Sequence, residues 1–345
     1  MSIFRTTLLL YFLLISHAIA DTDSTSQEEN SYIDGTHEYI SEKVLDLSKG
    51  IDTTVNDWFK SEEDDSADTL EEVDSMDEFF INEKYIDDTD KAFIRLGLNS
   101  NFQSKTEEDY TYNLRARLPL SRTKKRLKLF VQTTFSDDDD REVNSIANNP
   151  NNKNAKTEVG LSLFAPQNYG IKSRYDAGIR SLDPFVRARY RVDFEAGEWD
   201  IDMSQFFKYS VDDKFSEGTR LYFDTKFEES KLFRILLHRD TSDSSAGMSY
   251  GIGFHYYIPK GQDAAVRLSQ TFTGNTKYTY IDENAISHRH SEINNYTTSI
   301  GWRENVLKEW IYYEVTPAVN FHKQYDYDVN YSLNFSLEFY FGRHK

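Results

Sequence analysis

Apolar and polar residues alternate with a period of two through most of this 345-residue chain, from about residue 91 to residue 341. The last stretch, NYSLNFSLEFYF, places Leu333, Phe335 and Leu337 on one side of an extended backbone and asparagine, serine and glutamate on the other. Successive side chains of a β-strand point to opposite faces, so each stretch predicts a strand with one apolar and one polar face. About fourteen stretches of roughly ten residues follow one another without a helical pattern between them. We therefore expect an all-β architecture of many strands.

Two all-β architectures compete for this pattern, a soluble β-sandwich and a membrane β-barrel. Sandwich strands are usually shorter and bury a smaller face, whereas a strand that crosses a bilayer needs about 9–11 residues. The chain is 28% charged yet holds 23 tyrosines and 24 phenylalanines, which suits a wall that meets lipid with every second residue. The pattern predicts a transmembrane antiparallel up-and-down β-barrel of about fourteen strands over residues 91–345, with twelve or sixteen strands as alternatives.

The first twenty residues, MSIFRTTLLLYFLLISHAIA, predict a signal peptide covering residues 1–20. Arg5 provides a short basic start, residues 7–16 are apolar, and Ala18 and Ala20 form a small-residue cleavage site. The alternative, a membrane anchor, is disfavoured because the apolar run of about 10 residues is half the roughly 20 needed to span a bilayer. We expect export from the cytosol, and the lack of cysteine excludes disulfides and thiolate chemistry.

Residues 21–90 differ from the rest of the chain, because they hold 24 acidic residues against four lysines. Within them, residues 36–60 place apolar side chains such as Ile40, Val44 and Leu47 at steps of three or four, which predicts an amphipathic helix. The following stretch, SEEDDSADTLEEVDSMDE, is too acidic to fold alone. We expect either a solvated linker or an acidic arm that docks on a basic partner or plugs the following domain.

The signal segment ending at Ala20, the repeats over 91–341 and the terminal strand YSLNFSLEFYF together resemble Gram-negative outer-membrane β-barrel proteins. The resemblance implies a place in the cell outer membrane, contacts with its lipid and lipopolysaccharide, and residues 21–90 in the periplasm. It also implies that Phe339 and Phe341 form an assembly signal read by the barrel-insertion machinery. Four residues follow Phe341, where such proteins commonly end in phenylalanine. No motif of a functional subfamily accompanies the resemblance.

The polar faces of the predicted strands would line the barrel lumen, and they are rich in charge, with roughly 16 basic residues against about 9 acidic ones. The candidate lumen-lining residues are Arg115, Arg117, Arg174, Arg187, Arg189, Arg191, Asp200, Asp202, Arg220, Asp224, Arg234, His238, Arg267 and Glu314. Two interpretations remain open. The charges could pair across strands and fill the lumen of a structural envelope protein, or the surplus arginine could line a passive channel that favours small anionic solutes.

The stretch PFVRARYRVDFEAGEWDIDM shows the charge pattern at its strongest. Arg187, Arg189 and Arg191 alternate with apolar residues, and Asp200 and Asp202 do the same on the next predicted strand. Opposite charges on adjacent strands stabilise each other, so we expect the arginines to stand beside the aspartates.

An outer-membrane hydrolase of lipase or protease type is the alternative function. His238 and His255 are predicted to point inward with Ser249 and Ser269, but no spacing among them matches a hydrolase motif. The loop SDDDD at 136–140 and the stretch ISHRHSEIN at 286–294 are weak metal-binding patterns, for which solvated loop charge is the better interpretation. We expect no metal, cofactor or nucleic-acid partner.

Overall fold

The computed structural model describes the chain in several segments. These are residues 34–46, 79, 92–120, 126–134, 156–228, 230–261, 263–281 and 286–342. The predicted signal peptide, the aspartate loop 136–140 and most of the acidic stretch lie outside the described residues. Within the described segments, no helix has both the length and the apolarity that crossing a membrane requires.

The described residues form sixteen strands in chain order. They are β1 (Phe93–Gln103), β2 (Asp109–Pro119), β3 (Leu127–Thr134), β4 (Lys156–Asn168), β5 (Ile171–Arg180), β6 (Asp183–Ala196), β7 (Trp199–Ser210), β8 (Lys214–Phe227), β9 (Lys231–Ser242), β10 (Met248–Lys260), β11 (Ala264–Asn275), β12 (Tyr278–Ile281), β13 (Ser287–His290), β14 (Ile293–Val306), β15 (Lys308–His322) and β16 (Val329–Gly342). Fourteen of them close into one antiparallel barrel, while β12 and β13 form a separate hairpin between β11 and β14. The predicted fold and the preferred strand number are confirmed.

The barrel closes where its first and last strands pair. Phe93 at the start of β1 stands opposite Gly342 at the end of β16, and the register continues to Gln103 and Ser332. We call the end where β1 begins and β16 ends the near end, and the opposite end the far end. The longest connections, 135–155 and 276–292, lie at the far end, whereas most near-end turns span two or three residues. Outer-membrane barrels show the same asymmetry between their two ends.

The two faces of the wall are inverted relative to a soluble protein. On β6, Val186 is 57% exposed on the outer face, whereas its neighbour Arg187 on the inner face is 4% exposed. Ile179 and Arg180 on β5 repeat the contrast. A soluble sandwich would bury the valine and isoleucine, whereas a bilayer covers them and penalises an arginine near its midplane by about 2–4 kcal/mol. The exposed apolar face therefore favours the membrane barrel over the sandwich.

Two glutamines on the outer face depart from this pattern, and each has a threonine partner on the neighbouring strand. The hydroxyl of Thr219 donates to the side-chain oxygen of Gln205 at 2.5 Å, and Thr298 does the same for Gln270 at 2.5 Å. Each glutamine amide also donates to the backbone of the following residue. The pairs lower the cost of placing a polar group against lipid, because that cost falls when the group is hydrogen-bonded.

Pro317 lies inside β15, where the sequence predicts a bend or the end of the strand. The strand instead continues to His322, so an end at Pro317 was a wrong prediction. The registered pairs with β14 stop at Ser299 opposite Ala318 and resume at Trp302 opposite Val315. Proline has no backbone N–H to donate, so a local interruption of one ladder is its expected effect on a strand.

The helix α1 covers residues 34–46, so it begins two residues before the predicted span 36–60 and includes 36–46 of it; the rest of that span lies outside the described residues. Its Val44 is buried against Ala92 and Leu118, and this cluster also includes partly buried apolar side chains. They are Ile40, Leu45, Ile94, Leu129 and Phe341. These contacts come from β1, β2, β3 and β16, so α1 lies across the seam where the barrel closes, at the near end.

Replacing Val44 with aspartate should detach α1 from the barrel. The substitution removes about 1.5–3 kcal/mol of apolar burial and places a charge in an apolar cluster. Trypsin cleavage after Lys43 should accelerate by roughly tenfold or more, because cleavage follows the population of the detached form. The matched control is Tyr39→Asp on the exposed face of the same helix, where Tyr39 is 61% exposed. Equal cleavage rates for the two variants would contradict the packing described here.

Candidate functional site

The predicted lumen-lining residues lie on the inner face of the barrel. All of them are buried except Asp200, which is exposed close to the turn before β7. The buried set is Arg115, Arg117, Arg174, Arg187, Arg189, Arg191, Asp202, Arg220, Asp224, Arg234, His238, Arg267 and Glu314. The alternation places these side chains because a residue two positions along a strand returns to the same face.

The expected arrangement of the arginines beside Asp200 and Asp202 was wrong in register. Asp202 stands opposite Asp193 and Asp200 stands opposite Glu195, so the acids of β6 and β7 face each other at the near end. A single arginine, Arg191, reaches diagonally to Asp202 and donates to its carboxylate. Arg187 finds its acids on β4 and β5 instead, Glu158 and Asp176.

Glu158 on β4 lies at the centre of a cluster of ion pairs on the inner face. Its carboxylate accepts a hydrogen bond from Gln132 at 2.9 Å and another from Lys208 at 3.3 Å. Arg187 lies 3.5 Å from it and Arg180 lies 3.6 Å from it. One fully buried carboxylate thus connects cations from three strands, and a buried charge is tolerated only when it is paired in this way.

Asp176 on β5 completes the cluster. Arg187 donates to its carboxylate at 2.8 Å, and Arg174 lies 3.3 Å away. Because Arg187 also contacts Glu158, it is shared between two acids of different strands. The sequence pattern placed these side chains on one face but did not indicate which acid each cation would contact.

The opposite part of the lumen contains ion pairs with a nearly balanced charge. Arg234 donates to Asp224 through two parallel hydrogen bonds of 2.7 and 2.6 Å, the bidentate geometry that guanidinium groups prefer. The other pairs are Arg220–Asp240 at 2.8 Å, Arg267–Glu314 at 2.9 Å, and Arg303–Glu338 at 2.8 Å.

Inward aromatic rings separate several of the cations, and the sequence analysis missed them. Phe206 is buried with the guanidinium of Arg189 at 5.9 Å and that of Arg220 at 6.0 Å from its ring centre. Its ring occupies the space above Gly218, where a Cβ atom would lie 2.2 Å from the ring. Such cation–π contacts fill the lumen with packed side chains. The sequence did contain a signal for Phe206. It lies four residues after Asp202 on β7, and an even spacing along a strand places two side chains on the same face.

The strands next to the closing seam carry four cations, Arg95, Arg115, Arg117 and Lys128, which we call the basic wall. All four are buried on the inner face of β1–β3. Arg95 and Arg115 stand directly opposite each other in neighbouring strands. The Nε and Nη1 donors of Arg95 have no hydrogen-bond partner among the described residues. Like charges in directly opposed positions destabilise a sheet, so placing these two guanidinium groups opposite each other carries an energetic cost.

The excess of positive charge is confined to one side of the barrel. Among the buried side chains described on β1–β7, ten are basic and four are acidic. The basic ones are Arg95, Arg115, Arg117, Lys128, Arg174, Arg180, Arg187, Arg189, Arg191 and Lys208, and the acidic ones are Glu158, Asp176, Asp183 and Asp202. On β8–β16, four buried basic residues meet three buried acidic ones. The lumen therefore has a basic half and a nearly neutral half.

The hydrolase candidates come together only in part. His255 Nδ1 lies 2.9 Å from Ser269 Oγ, which is a plausible nucleophile–base distance. The residue directly opposite His255 on β9 is Arg234, a cation, whereas a catalytic histidine is oriented by a carboxylate or amide. Ser249 donates to the backbone of Asp240 and His238 lies 3.6 Å from that side chain. His255 and Ser269 therefore form a pair on the inner face, next to a cation.

The histidines of the far-end stretch 286–294 contact aromatic residues. The ring of His288 stacks on Tyr280 at 5.3 Å, and His290 Nε2 lies 3.3 Å from the hydroxyl of Tyr327. Beside them on the β12–β13 hairpin, burial raises the pKa of Tyr278 to about 12. The part of the chain that the structure describes holds no group of three or more potential metal ligands.

The two residues of the predicted assembly signal lie on the outer face of β16. Phe339 stands opposite Leu96 on β1 and Ile311 on β15. Phe341 stands opposite Ile94 and packs against the Val44 cluster under α1. In the folded protein, α1 therefore covers part of the terminal strand.

Neither a protein-family model nor a curated protein sequence matches the chain. Solved structures similar to it include the anion-selective porin from Comamonas acidovorans, with 8% identity, a TM-score of 0.42, and coverage of 72% of this chain and 98% of that one. The KdgM porin in complex with disordered oligogalacturonate has 6% identity, a TM-score of 0.34, and coverage of 71% and 98%. OccK2 (OpdF) from Pseudomonas aeruginosa, in complex with glucuronate, has 7% identity, a TM-score of 0.42, and coverage of 73% and 96%.

Three features of the structure define the type of protein. The sheet closes on itself, its outer face is apolar and exposed, and its inner face is ionic and buried. Closure leaves no unpaired edge, which a sheet in a bilayer requires, and the alternation places every buried charge away from lipid. The chain is a transmembrane β-barrel protein.

Proposed function

We propose that this barrel is a narrow passive channel for small anionic solutes, which move along the basic wall. The observation that carries the proposal is the buried Arg95, which stands opposite Arg115 with two guanidinium donors lacking a partner among the described residues. In this proposal the near end faces the periplasm, and outer-membrane lipid and lipopolysaccharide surround the outer face. Assembly by the barrel-insertion machinery through Phe339 and Phe341 is part of the same proposal.

An anion would remove two costs that the basic wall creates. Each buried donor without a partner costs about 1–3 kcal/mol, and the repulsion between Arg95 and Arg115 adds to this. A solute carboxylate or phosphate could accept from Arg95 and neutralise the repulsion during its passage. Guanidinium groups suit this role because their planar fork matches both anions, and rings of arginine select anions in other pores.

A structural envelope protein with a charge-filled lumen is the second candidate, and a specific observation favours it. Arg303, Lys208 and Arg220 are 0%, 1% and 2% exposed, so the inner charges are packed against one another. A lumen filled in this way along its whole length would not conduct. The two candidates differ in whether the space beside the basic wall is continuous from one end of the barrel to the other.

Recordings in planar bilayers would test the channel. With a salt gradient across the bilayer, the reversal potential should show a preference for anions. The double variant Arg95→Gln with Arg115→Gln should lower the anion-to-cation permeability ratio by roughly fivefold, which corresponds to about 1 kcal/mol for a charge contact in water. Arg239→Gln is the matched control, because it removes one arginine at an exposed ion pair outside the lumen.

Each unfavourable result has a distinct meaning. No conductance from correctly folded protein would reject the channel and leave the structural envelope protein. A preference for cations, or equal selectivity in the double variant and wild type, would reject the role of the basic wall.

A further inference from the structure

A groove of about 570 Å³ crosses the lipid-facing side of the wall over β3–β8. Small-molecule sites in proteins have a similar size, about 300–1,000 Å³. Asp176, Arg187 and Lys208 border the groove, and because their side chains are buried on the inner face, they contribute backbone to its floor. The outer-face residues that line it are all aliphatic or aromatic, and they are Leu127, Leu161, Leu163, Tyr175, Ala177, Val186, Ala188, Phe207, Tyr209 and Phe215.

Two rows of facing side chains define the groove, and each row contains one alanine. In the first row, Tyr175 stands opposite Ala188, which stands opposite Phe207. In the second row, Ala177 stands opposite Val186. The two alanines are therefore diagonal neighbours on β5 and β6. Because an alanine side chain ends at Cβ, the pair leaves a depression between larger neighbours.

The aromatic rings that line the groove hold one another in place. Tyr175 meets Tyr190 edge to face with 6.2 Å between ring centres, and Tyr190 meets Phe207 in the same way at 6.5 Å. Phe207 stacks on Phe215 at 6.2 Å. Aromatic pairs prefer these geometries, so each contact restricts the rotation of both rings. The groove is therefore preformed and does not need an occupant to create it.

We propose that this groove is a binding site for one acyl chain of a membrane lipid, held at a fixed place on the wall. The bilayer meets the outer face of a transmembrane barrel, and the groove opens toward it beside the exposed Val186. The aliphatic and aromatic lining matches a polymethylene chain and not a phosphate headgroup. A second copy of the barrel fits less well, because its convex outer wall would leave the recess unfilled.

Packing, and not burial from water, would hold the chain in the groove. Lipid tails are as apolar as the lining, so the hydrophobic effect does not distinguish a bound chain from its neighbours in the bilayer. A recess with fixed walls contacts a chain on several sides, and each pair of close atoms adds a small attraction. The site does not depend on the proposed channel, because it lies on the opposite face of the wall from the lumen.

Photolabelling of the full-length wild-type protein in lipid vesicles tests the site. The vesicles contain dioleoylphosphatidylcholine and a small fraction of phosphatidylcholine with a diazirine in one acyl chain, and labelled peptides are identified by mass spectrometry. Labelling around Ala177 and Ala188 should exceed that around Leu268 and Ile300 by roughly fivefold, which corresponds to a preference of about 1 kcal/mol for the groove. Leu268 and Ile300 face each other on the exposed outer side of β11 and β14, so freely exchanging lipid reaches them equally well. Equal labelling of the two regions would mean freely exchanging lipid only and would overturn the site.

Filling the groove provides a second test. Ala177→Phe with Ala188→Phe should remove the excess labelling of β5 and β6, because two phenyl rings occupy the depression without adding polar groups to the lipid face. Leu268→Phe with Ile300→Phe is the matched control and should leave that excess unchanged. Heat-dependent mobility on gels identifies the folded variants, and the wild-type comparison decides the question if the filled variant does not fold. Persistence of the excess in folded Ala177→Phe with Ala188→Phe would overturn the site, as would a loss of multimers in that variant, since a second copy would then be the occupant.

Discussion

Replacing Glu158 with glutamine should lower the free energy of unfolding by about 3–5 kcal/mol, the usual cost of removing one partner from a buried ion pair. The glutamine has nearly the same shape but carries no charge, while Lys208, Arg187 and Arg180 remain buried around it. The basic half of the lumen would lose one of its four buried acids. Repulsion among the remaining cations, rather than the loss of a single contact, is the physical reason for the large effect.

The measurement is reversible unfolding by denaturant in lipid vesicles, followed by tryptophan fluorescence and by heat-dependent mobility on gels. Glu217→Gln serves as the control, because Glu217 contacts the exposed Arg239 at 3.5 Å. Exposed pairs contribute about 0–1 kcal/mol, so the control should unfold almost as wild type does. A loss below about 1 kcal/mol in Glu158→Gln would mean that water reaches the cluster and screens it. That outcome would argue for an open, hydrated lumen on β4–β7.

The second large effect is expected at Asp224 on the other side of the barrel. Replacing Asp224 with asparagine removes the charge that neutralises Arg234, which is 1% exposed and bound through two parallel hydrogen bonds. The expected loss is again about 3–5 kcal/mol, the usual cost of removing one partner from a buried ion pair. Arg234 also lies over the rings of Tyr222 and Tyr257. The expected loss therefore includes the packing of the guanidinium against these rings.

A double variant separates the charge from the packing at this position. Asp224→Leu with Arg234→Met removes both charges and keeps apolar volume, and replacement of a buried pair in this way is often neutral or stabilising. The double variant should therefore be more stable than Asp224→Asn in the same unfolding experiment. If it is less stable, the pair contributes to the native state directly and the single-variant loss is not an unpaired-charge effect.

The face on which each strand residue lies could be read from the sequence. Arg187, Arg189 and Arg191 share one face because side chains alternate along a strand, and that rule depends only on local geometry. The number of strands followed for a similar reason, since the thickness of a bilayer sets the length of each one. The same local rule places Phe206 on the inner face with Asp202, because the two are separated by an even number of residues on β7. Phe206 was not identified because aromatic residues were assigned to the lipid side.

Contacts between residues of different strands could not be read in this way. Arg191 meets Asp202 diagonally, and Glu158 gathers cations from β5, β6 and β7, because closure of the barrel sets the stagger between strands. Stagger is a property of the whole ring, and no single stretch of sequence contains it. Pro317 shows the same limit, because its effect on β15 depends on which neighbouring strand would have accepted its missing hydrogen bond.

The sequence by itself determined that this chain forms a barrel of about fourteen strands with an apolar outside and an ionic inside, because alternation and strand length are local properties that a bilayer selects. The tertiary structure alone decided which charges contact one another and which cations share the basic wall. It also decided that Phe79 packs against the inner face of the barrel at the near end. The physical reason is the same for each, since these contacts join parts of the chain that become neighbours only when β1 closes on β16.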